Sequence, residues 1–368
     1  AGPRVVRSGF IEGRSPFNSN NGIVVTSEAE ALDAVRWYAQ RAYWQIKVYN
    51  SMRPEWVPAV VTESHRLGLR VAGHVPAFTT ADAMLEAGYD ELVHTNQLML
   101  SWVLAPDEDT RTLLRLTALK RLANYDLSSP PAQKTLGLMA SRKAVHDPTL
   151  TILEALMTNR NGAVPAGAVD WFDQMPPGAQ RDLKQALADV SAPGDDEAYR
   201  GAFASTLAVM RELHRRGVMI VPGTDYGGGL WLHRELELLE QAGLSRGEVL
   251  ARATLDMARY LGREAQLGSI EPGKLADVFL VPGNPLDELK ATKRIAMVVK
   301  DGAVYFTDPR YGLDKGGDPS TAEIDFMGVY RCGPDGKVTL ATRAMTKPNG
   351  LAFSPDESKL YVVEASGA

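Results

Sequence analysis

Trp44-Gln45-Ile46-Lys47-Val48-Tyr49-Asn50 is a short apolar run with a lysine at its centre. Ile46 and Val48 favour a β-strand, and an uncompensated ammonium between them is costly, so Lys47 wants a partner or a modification. The same pattern, an apolar run closing on a polar residue, returns at Arg70–His74, Glu91–His94 and Lys143–Asp147, with further runs at Arg4–Ser8 and Val218–Val221. Amphipathic stretches separate these runs as far as residue 262, which is the order of βα units building a parallel sheet. In an α/β barrel the C-terminal strand ends share one mouth. Lys47, His74, His94 and Asp225, distant in the chain, are therefore expected to converge.

Helix signals support this order. Ser27 and Glu30 form a capping box, and Asp33, Arg36 and Gln40 lie opposite Leu32, Val35 and Ala39. Pro54 opens the next helix, which runs to Arg66 and stops at Gly68. Residues 98–141 read as a helical insertion with one helix over Thr110–Leu122, and residues 159–200 as an excursion with a short helix at Gly178–Val190. After a helix over Arg246–Leu261 come strands at Val278–Val281 and Ile295–Val299. Turn signals at Pro334-Asp335-Gly336 and Ser354-Pro355-Asp356 then indicate antiparallel β structure. The expected division is an α/β barrel over residues 1–265, a small β segment over 266–304 and a β fragment over 305–368.

Composition narrows function. With 45% hydrophobic and 23% charged residues, the 368-residue chain can bury a large core. A net charge of −5 without a basic stripe argues against nucleic acid as a partner, and no apolar run approaches the roughly 20 residues of a membrane span. The single cysteine, Cys332, excludes an intrachain disulfide and a cysteine metal cluster but leaves the compartment open, cytoplasmic or exported. The chain starts at Ala1 inside what reads as folded sequence, so an upstream segment is expected.

Taken singly, each polar strand-end residue has a structural alternative. His74 or His94 would serve as a hydrogen-bonded core histidine, and Asp225, between Gly223-Thr224 and a glycine loop, as a helix cap. Imidazole and carboxylate are also suitable ligands for Zn²⁺ or a related divalent ion. Together, Gln45-Ile46-Lys47-Val48-Tyr49-Asn50, Gly73-His74-Val75-Pro76-Ala77, Val93-His94-Thr95-Asn96-Gln97 and Gly223-Thr224-Asp225 resemble the amidohydrolase superfamily. Leu267–Asp277 and Gly283-Asn284-Pro285-Leu286 resemble its C-terminal β segment. The wording is similar to imidazolonepropionase-like and prolidase-like hydrolases. The resemblance implies a TIM-type barrel and a divalent metal, with Lys47 carboxylated and bridging two ions, His74 and His94 on the exposed ion, and Asp225 as ligand and general base. It also implies a His-X-His pair that this sequence does not contain, which places its start at the third strand and leaves a mononuclear or empty site open.

His146 ends another strand and is read as structural, while His233 is a candidate substrate contact. His65 and His214 are expected to be solvated on helices. Gly302–Leu313 and Pro348-Asn349-Gly350-Leu351-Ala352-Phe353 resemble the gluconolactonase and senescence-marker propeller family. There Asn349 would correspond to a metal-binding asparagine, with a turn role as the alternative. The expected function is metal-dependent hydrolysis of an amide, lactam or ester bond in a small molecule or dipeptide. The alternatives are a catalytically impaired fusion or scaffold and a lactonase. An incomplete barrel would expose a sheet edge, so a homo-oligomer or cover by residues 305–363 is expected.

Overall fold

The computed structural model describes residues 5–227, 229–300, 302–308, 320, 324–333, 335–353 and 360–364. The chain forms two compact units, residues 6–253 and the residues from Thr254 onward with Val5.

In the first unit, strands β1 (Ser8–Gly13), β2 (Ile23–Val25), β3 (Gln45–Val48), β4 (Arg70–Gly73), β5 (Glu91–Val93) and β6 (Val145–Asp147) form a six-stranded sheet in the order β2-β1-β3-β4-β5-β6. Every neighbouring pair is parallel, and a parallel bridge joins His146 to Ile220 beyond β6. The helices are α1 (Glu28–Ala39), α2 (Val57–Arg66), α3 (Ala81–Ala87), α4 (Thr95–Leu100), α5 (Leu114–Thr117), α6 (Pro130–Ser141), α7 (Leu150–Thr158), α8 (Pro177–Leu183), α9 (Asp195–Arg215), α10 (Leu230–Ala242) and α11 (Arg246–Ala253). This is a partial TIM-type barrel. Parallel strands under helices are buried on both faces, which is why Ile11, Ile46, Val48, Val71 and Leu92 have no exposed area.

The structure moves several expected boundaries. The first strand is Ser8–Gly13 rather than Arg4–Ser8, of which Arg4 lies outside the described residues, because burial begins at Gly9 and Ile11. Ile23–Val25, too short to stand out as a pattern, pairs with β1 on the flank away from β3. The flank expected to be unpaired is therefore occupied, and β2 is the edge strand. The capping box closes one residue early: Ser27 Oγ accepts from Glu30 N at 3.2 Å, but the Glu30 carboxylate accepts from Thr26 N at 2.6 Å. Thr110–Leu122 is not one helix. Asp109 holds the Arg111 side chain at 2.8 Å and Thr112 folds back on the Asp109 carbonyl, a local turn that delays helix until Leu114. The short helix expected at Gly178–Val190 is α8, and the excursion ends at α9, whose buried Tyr199, Ala202, Phe203, Thr206, Val209, Met210 and Leu213 recur at helical spacing.

In the second unit, α12 (Leu255–Tyr260) is separated from Ala253 by Thr254, at φ −126° and ψ −93°, so Arg246–Leu261 is not one helix. Strands β7 (Val278–Leu280), β8 (Met297–Lys300), β9 (Ala303–Asp308), β10 (Gly328–Cys332) and β11 (Val338–Thr342) form an antiparallel sheet in the order β11-β10-β9-β8-β7. Strands β12 (Pro348–Phe353) and β13 (Leu360–Glu364) form a two-stranded antiparallel sheet. β8 pairs with β9, Val299 opposite Val304, so one sheet runs across residues 304 and 305.

Gly73 ends β4 at φ 150°, and a Cβ there would collide with the Val48 carbonyl of β3. Only glycine allows the strands to close up immediately before His74. Gly73→Ala is expected to destabilise the protein by about 3 kcal/mol, at the upper end of overpacking costs. Urea denaturation measures it, and a change below about 0.5 kcal/mol would show that β3 and β4 are not so closely apposed.

Candidate active site

Lys47, His74 and His94 leave β3, β4 and β5 at or near their C-terminal ends, and Asp225 follows the segment bridged to β6. The sheet hydrogen bonding continues into this edge: His74 N donates to Val48 O at 3.0 Å, and His94 N donates to Asp147 O at 2.7 Å. The two imidazoles meet edge to face, with ring centroids 4.5 Å apart and planes at 87°. His94 Nε2 lies 3.9 Å from Asp225 Oδ2, and Asp225 is half-exposed at φ 50°. Lys47 is half-buried, in register between Phe10 and Ala72, and its charge acts on both histidines.

Both histidines are buried and held by their Nδ1 atoms. His74 Nδ1 is 2.5 Å from Asn50 Oδ1, with the carbonyl oxygen accepting, and His94 Nδ1 is 2.7 Å from Thr149 Oγ. At His74 the partner is a carbonyl oxygen, so Nδ1 donates and Nε2 keeps a lone pair; at His94 the Thr149 hydroxyl can accept from Nδ1 or donate to it. His74 Nε2 is buried and has no hydrogen-bond partner. Burial first, and then neighbouring positive charge from Lys47 and Arg115, holds both rings well below the usual histidine range. They are neutral at pH 7, the form that binds metal. His94 sits at φ 63° and Thr149 at φ 50°, a cluster of left-handed backbone of the kind that marks functional sites.

Sequence reasoning missed Asp147, Asn50 and Thr149. Asp147 is half-buried by area, yet its Oδ1 is sealed from water without a partner. Burial, with added repulsion from Glu91 and Glu235 and against the attraction of Lys47, raises its carboxyl well above the usual range. A Cβ on Gly223 would collide with this carboxylate, so glycine is required where the Asp225 loop passes β6. Strand alternation carried the signal: the side chains of His146 and Asp147 leave β6 on opposite faces. Both His146 nitrogens are used, Nδ1 with the Leu92 carbonyl and Nε2 with Thr95 Oγ, each at 3.0 Å. His146 is structural.

His233 lies on α10, half-buried, with its ring 6.2 Å from that of Trp171. His65 is not merely solvated but pairs with Asp90 at 2.8 Å, and His214 contacts Glu248 at 3.2 Å. The Asn349 side chain lies outside the described residues. A cavity of about 120 Å³ that includes none of these site residues in its lining is bounded by Val75, Pro76, Phe78, Gln97, Leu100 and Glu108 among others. The Thr110 hydroxyl is buried without a partner.

Of the residues expected to bind a metal, His74 presents a buried, unpartnered Nε2, and His94 Nε2 lies 3.9 Å from Asp225 Oδ2; these are nitrogen and oxygen donors of the kind a divalent ion takes. Among the described residues no group of three or more His, Cys, Asp or Glu side chains is placed so that it could hold a metal ion. No helix among them is long and apolar enough to cross a membrane.

Residues 182–305 match the amidohydrolase family, and residues 289–368 match the SMP-30/gluconolactonase/LRE-like region. A gluconolactonase of Zymomonas mobilis subsp. mobilis is 49% identical over 69 residues, 19% of this chain and 19% of that protein. A 5-methylthioadenosine/S-adenosylhomocysteine deaminase of Teredinibacter turnerae is 34% identical over 87 residues, 20% of each. The matched parts thus span about a fifth of either relative. A crystal structure of a Xaa-Pro dipeptidase with bound methionine in the active site superposes with a TM-score of 0.54 at 21% identity, covering 82% of this chain and 68% of that one. That likeness establishes the shared fold.

Glu235 has no exposed area, and burial raises its carboxyl from 4.5 to about 7. A raised folded-state pKa gives stability that is complete below about 4.5 and lost as pH climbs past about 7. The loss is on the order of 3 kcal/mol at 1.36 kcal/mol per unit, and Asp147 adds to it in the same direction. In urea titrations between pH 4 and 8, Glu235→Gln should flatten this decline by a similar amount. Parallel curves for the two proteins would refute the shift.

Proposed function

We propose, starting from a chain that carries an amidohydrolase-family region at residues 182–305 and a gluconolactonase-like region at residues 289–368, that it is a metal-dependent hydrolase of amide-type bonds. The observation that carries this reading is the pair of buried, neutral imidazoles in contact with each other, both engaged at Nδ1, with His74 Nε2 unpartnered and His94 Nε2 3.9 Å from Asp225 Oδ2.

His74, His94 and Asp225 would hold the ion, with zinc favoured by the nitrogen and oxygen donors. Once bound, it supplies Lewis acidity and lowers the pKa of water from 15.7 toward about 7. Asp225, half-exposed and 3.9 Å from His94 Nε2, would take a proton at Oδ2 and return it to a leaving amine. Asp147, whose carboxyl burial pushes well above the usual range, would donate a hydrogen bond from β6 in its protonated form. Lys47 contributes positive charge to this edge, and its carboxylation would turn it into an anionic ligand. The substrate would be a small molecule or dipeptide, with His233, half-buried on α10, as a candidate contact. Division into residues 1–265, 266–304 and 305–368, and homo-oligomerisation through the β2 edge, belong to the same proposal.

A catalytically impaired fusion is favoured instead by the lack, among the described residues, of three preassembled ligands. A lactonase carried by the C-terminal region rests on the 69-residue match. Zinc loading separates these readings. His74→Ala and His94→Ala should each weaken zinc binding by about 100-fold or more, beyond the 10–100-fold cost of losing an outer partner, and abolish hydrolysis of a dipeptide panel. His65→Ala should change neither. Equal zinc content in all three variants would remove the hydrolase reading, and sugar-lactone hydrolysis lost on deleting residues 301–368 would support the lactonase.

A further inference from the structure

A helix leaves its first amide groups unsatisfied, and the N-cap side chain ordinarily takes one of them. The N-cap of α7 is Thr149, a good residue for this role, yet its hydroxyl makes no capping bond. It lies 2.7 Å from His94 Nδ1 instead. The amides of α7 are served from another helix. Glu235 of α10 accepts from Leu150 N at 2.9 Å through Oε1, and from Thr151 N and Thr151 Oγ, both at 2.8 Å, through Oε2. Glu235 has no exposed area, and Thr149 and Thr151 are each 2% exposed.

This arrangement is costly in two ways. A carboxylate is buried where a hydroxyl would serve, and a β-branched residue is held at φ 50° and ψ 49°. Left-handed backbone at such a residue costs on the order of 1–3 kcal/mol and persists only when its surroundings impose it. Thr149 in an ordinary N-cap conformation would turn its hydroxyl to its own helix and away from the imidazole. The Glu235 carboxylate makes that unnecessary by filling the cap.

We infer that Glu235 is a positioning residue for His94: by capping α7 it releases the Thr149 hydroxyl to accept from His94 Nδ1, which fixes the ring and its tautomer. The inference rests on the proposed function for its consequence, since the fixed tautomer presents His94 Nε2 toward Asp225. The relay itself is a property of the protein without metal.

The primary test is ¹⁵N NMR of the metal-free protein labelled at histidine. Wild type should show His94 as a single tautomer protonated at Nδ1. Thr149→Val, which preserves shape but removes the acceptor, and Glu235→Ala should both give a tautomer mixture. Glu235→Gln, whose one carbonyl can serve only one of the two amides, should fall between, and it carries the test if Glu235→Ala does not fold. An unchanged His94 signal in a folded Glu235 variant, alongside a changed one in Thr149→Val, would overturn the relay.

Zinc affinity by chelator competition gives the second readout. Thr149→Val and Glu235→Ala should each weaken zinc 10–100-fold, and the double variant no further, because both act on one bond. Additive losses would show that Glu235 acts by general destabilisation, contrary to the inference. If His94→Ala itself leaves zinc binding unchanged, the metal reading fails while the tautomer measurement still decides the relay.

Discussion

The hydrogen bond from His94 N to the Asp147 carbonyl, 2.7 Å long, joins β5 to β6 at the point where regular strand ends and the site begins. It fixes more than two backbones. By bringing the end of β5 against the end of β6, it sets His94 beside Thr149 and places Asp147 where the loop after Ile220 must pass it on a glycine. Parallel strands allow such a meeting because their bonds are evenly spaced and their C-terminal ends share one edge. The same construction at Val48 and His74 sets the other imidazole, with Gly73 as the residue that permits the approach.

The electrostatics of that edge follow from how it is walled. Lys47 and Arg115 favour neutral imidazoles, while Glu91 and Glu235 favour a neutral Asp147. Opposite shifts are thus arranged within a short stretch of sheet, the condition under which donor and acceptor roles separate at one pH.

Much of the architecture was legible because buried parallel strands must be apolar runs and must end on polar residues. His74, His94 and Asp225 were identified in that way, and the structure brings them together; Lys47 acts on the histidines through its charge. What stayed hidden depends on conformation. Thr149 looks like a helix cap in sequence, and only its backbone at φ 50° reveals that its hydroxyl is directed elsewhere. Glu235 falls inside an amphipathic helix that reads as half-solvated, although a distant helix end buries it. Asp147 was overshadowed by His146, whose side chain occupies the opposite face of the same strand. Ile23–Val25 is three residues long, below the length at which alternation can be recognised.

The antiparallel sheet of the second unit passes from β8 to β9 through a turn with Gly302 at φ 75°. Backbone pairing of this kind is almost indifferent to which side chains it carries, since amide and carbonyl groups repeat identically along any strand. A strand followed by a tight turn is therefore a splice point in the material sense: whatever polypeptide follows can be accepted if its first residues tolerate extension, without reshaping a packed interior. The two family matches overlap over residues 289–305, on the stretch that contains this turn. The hydrogen-bonded ladder runs without interruption through the stretch that both matches share, so a hairpin rather than a linker occupies it.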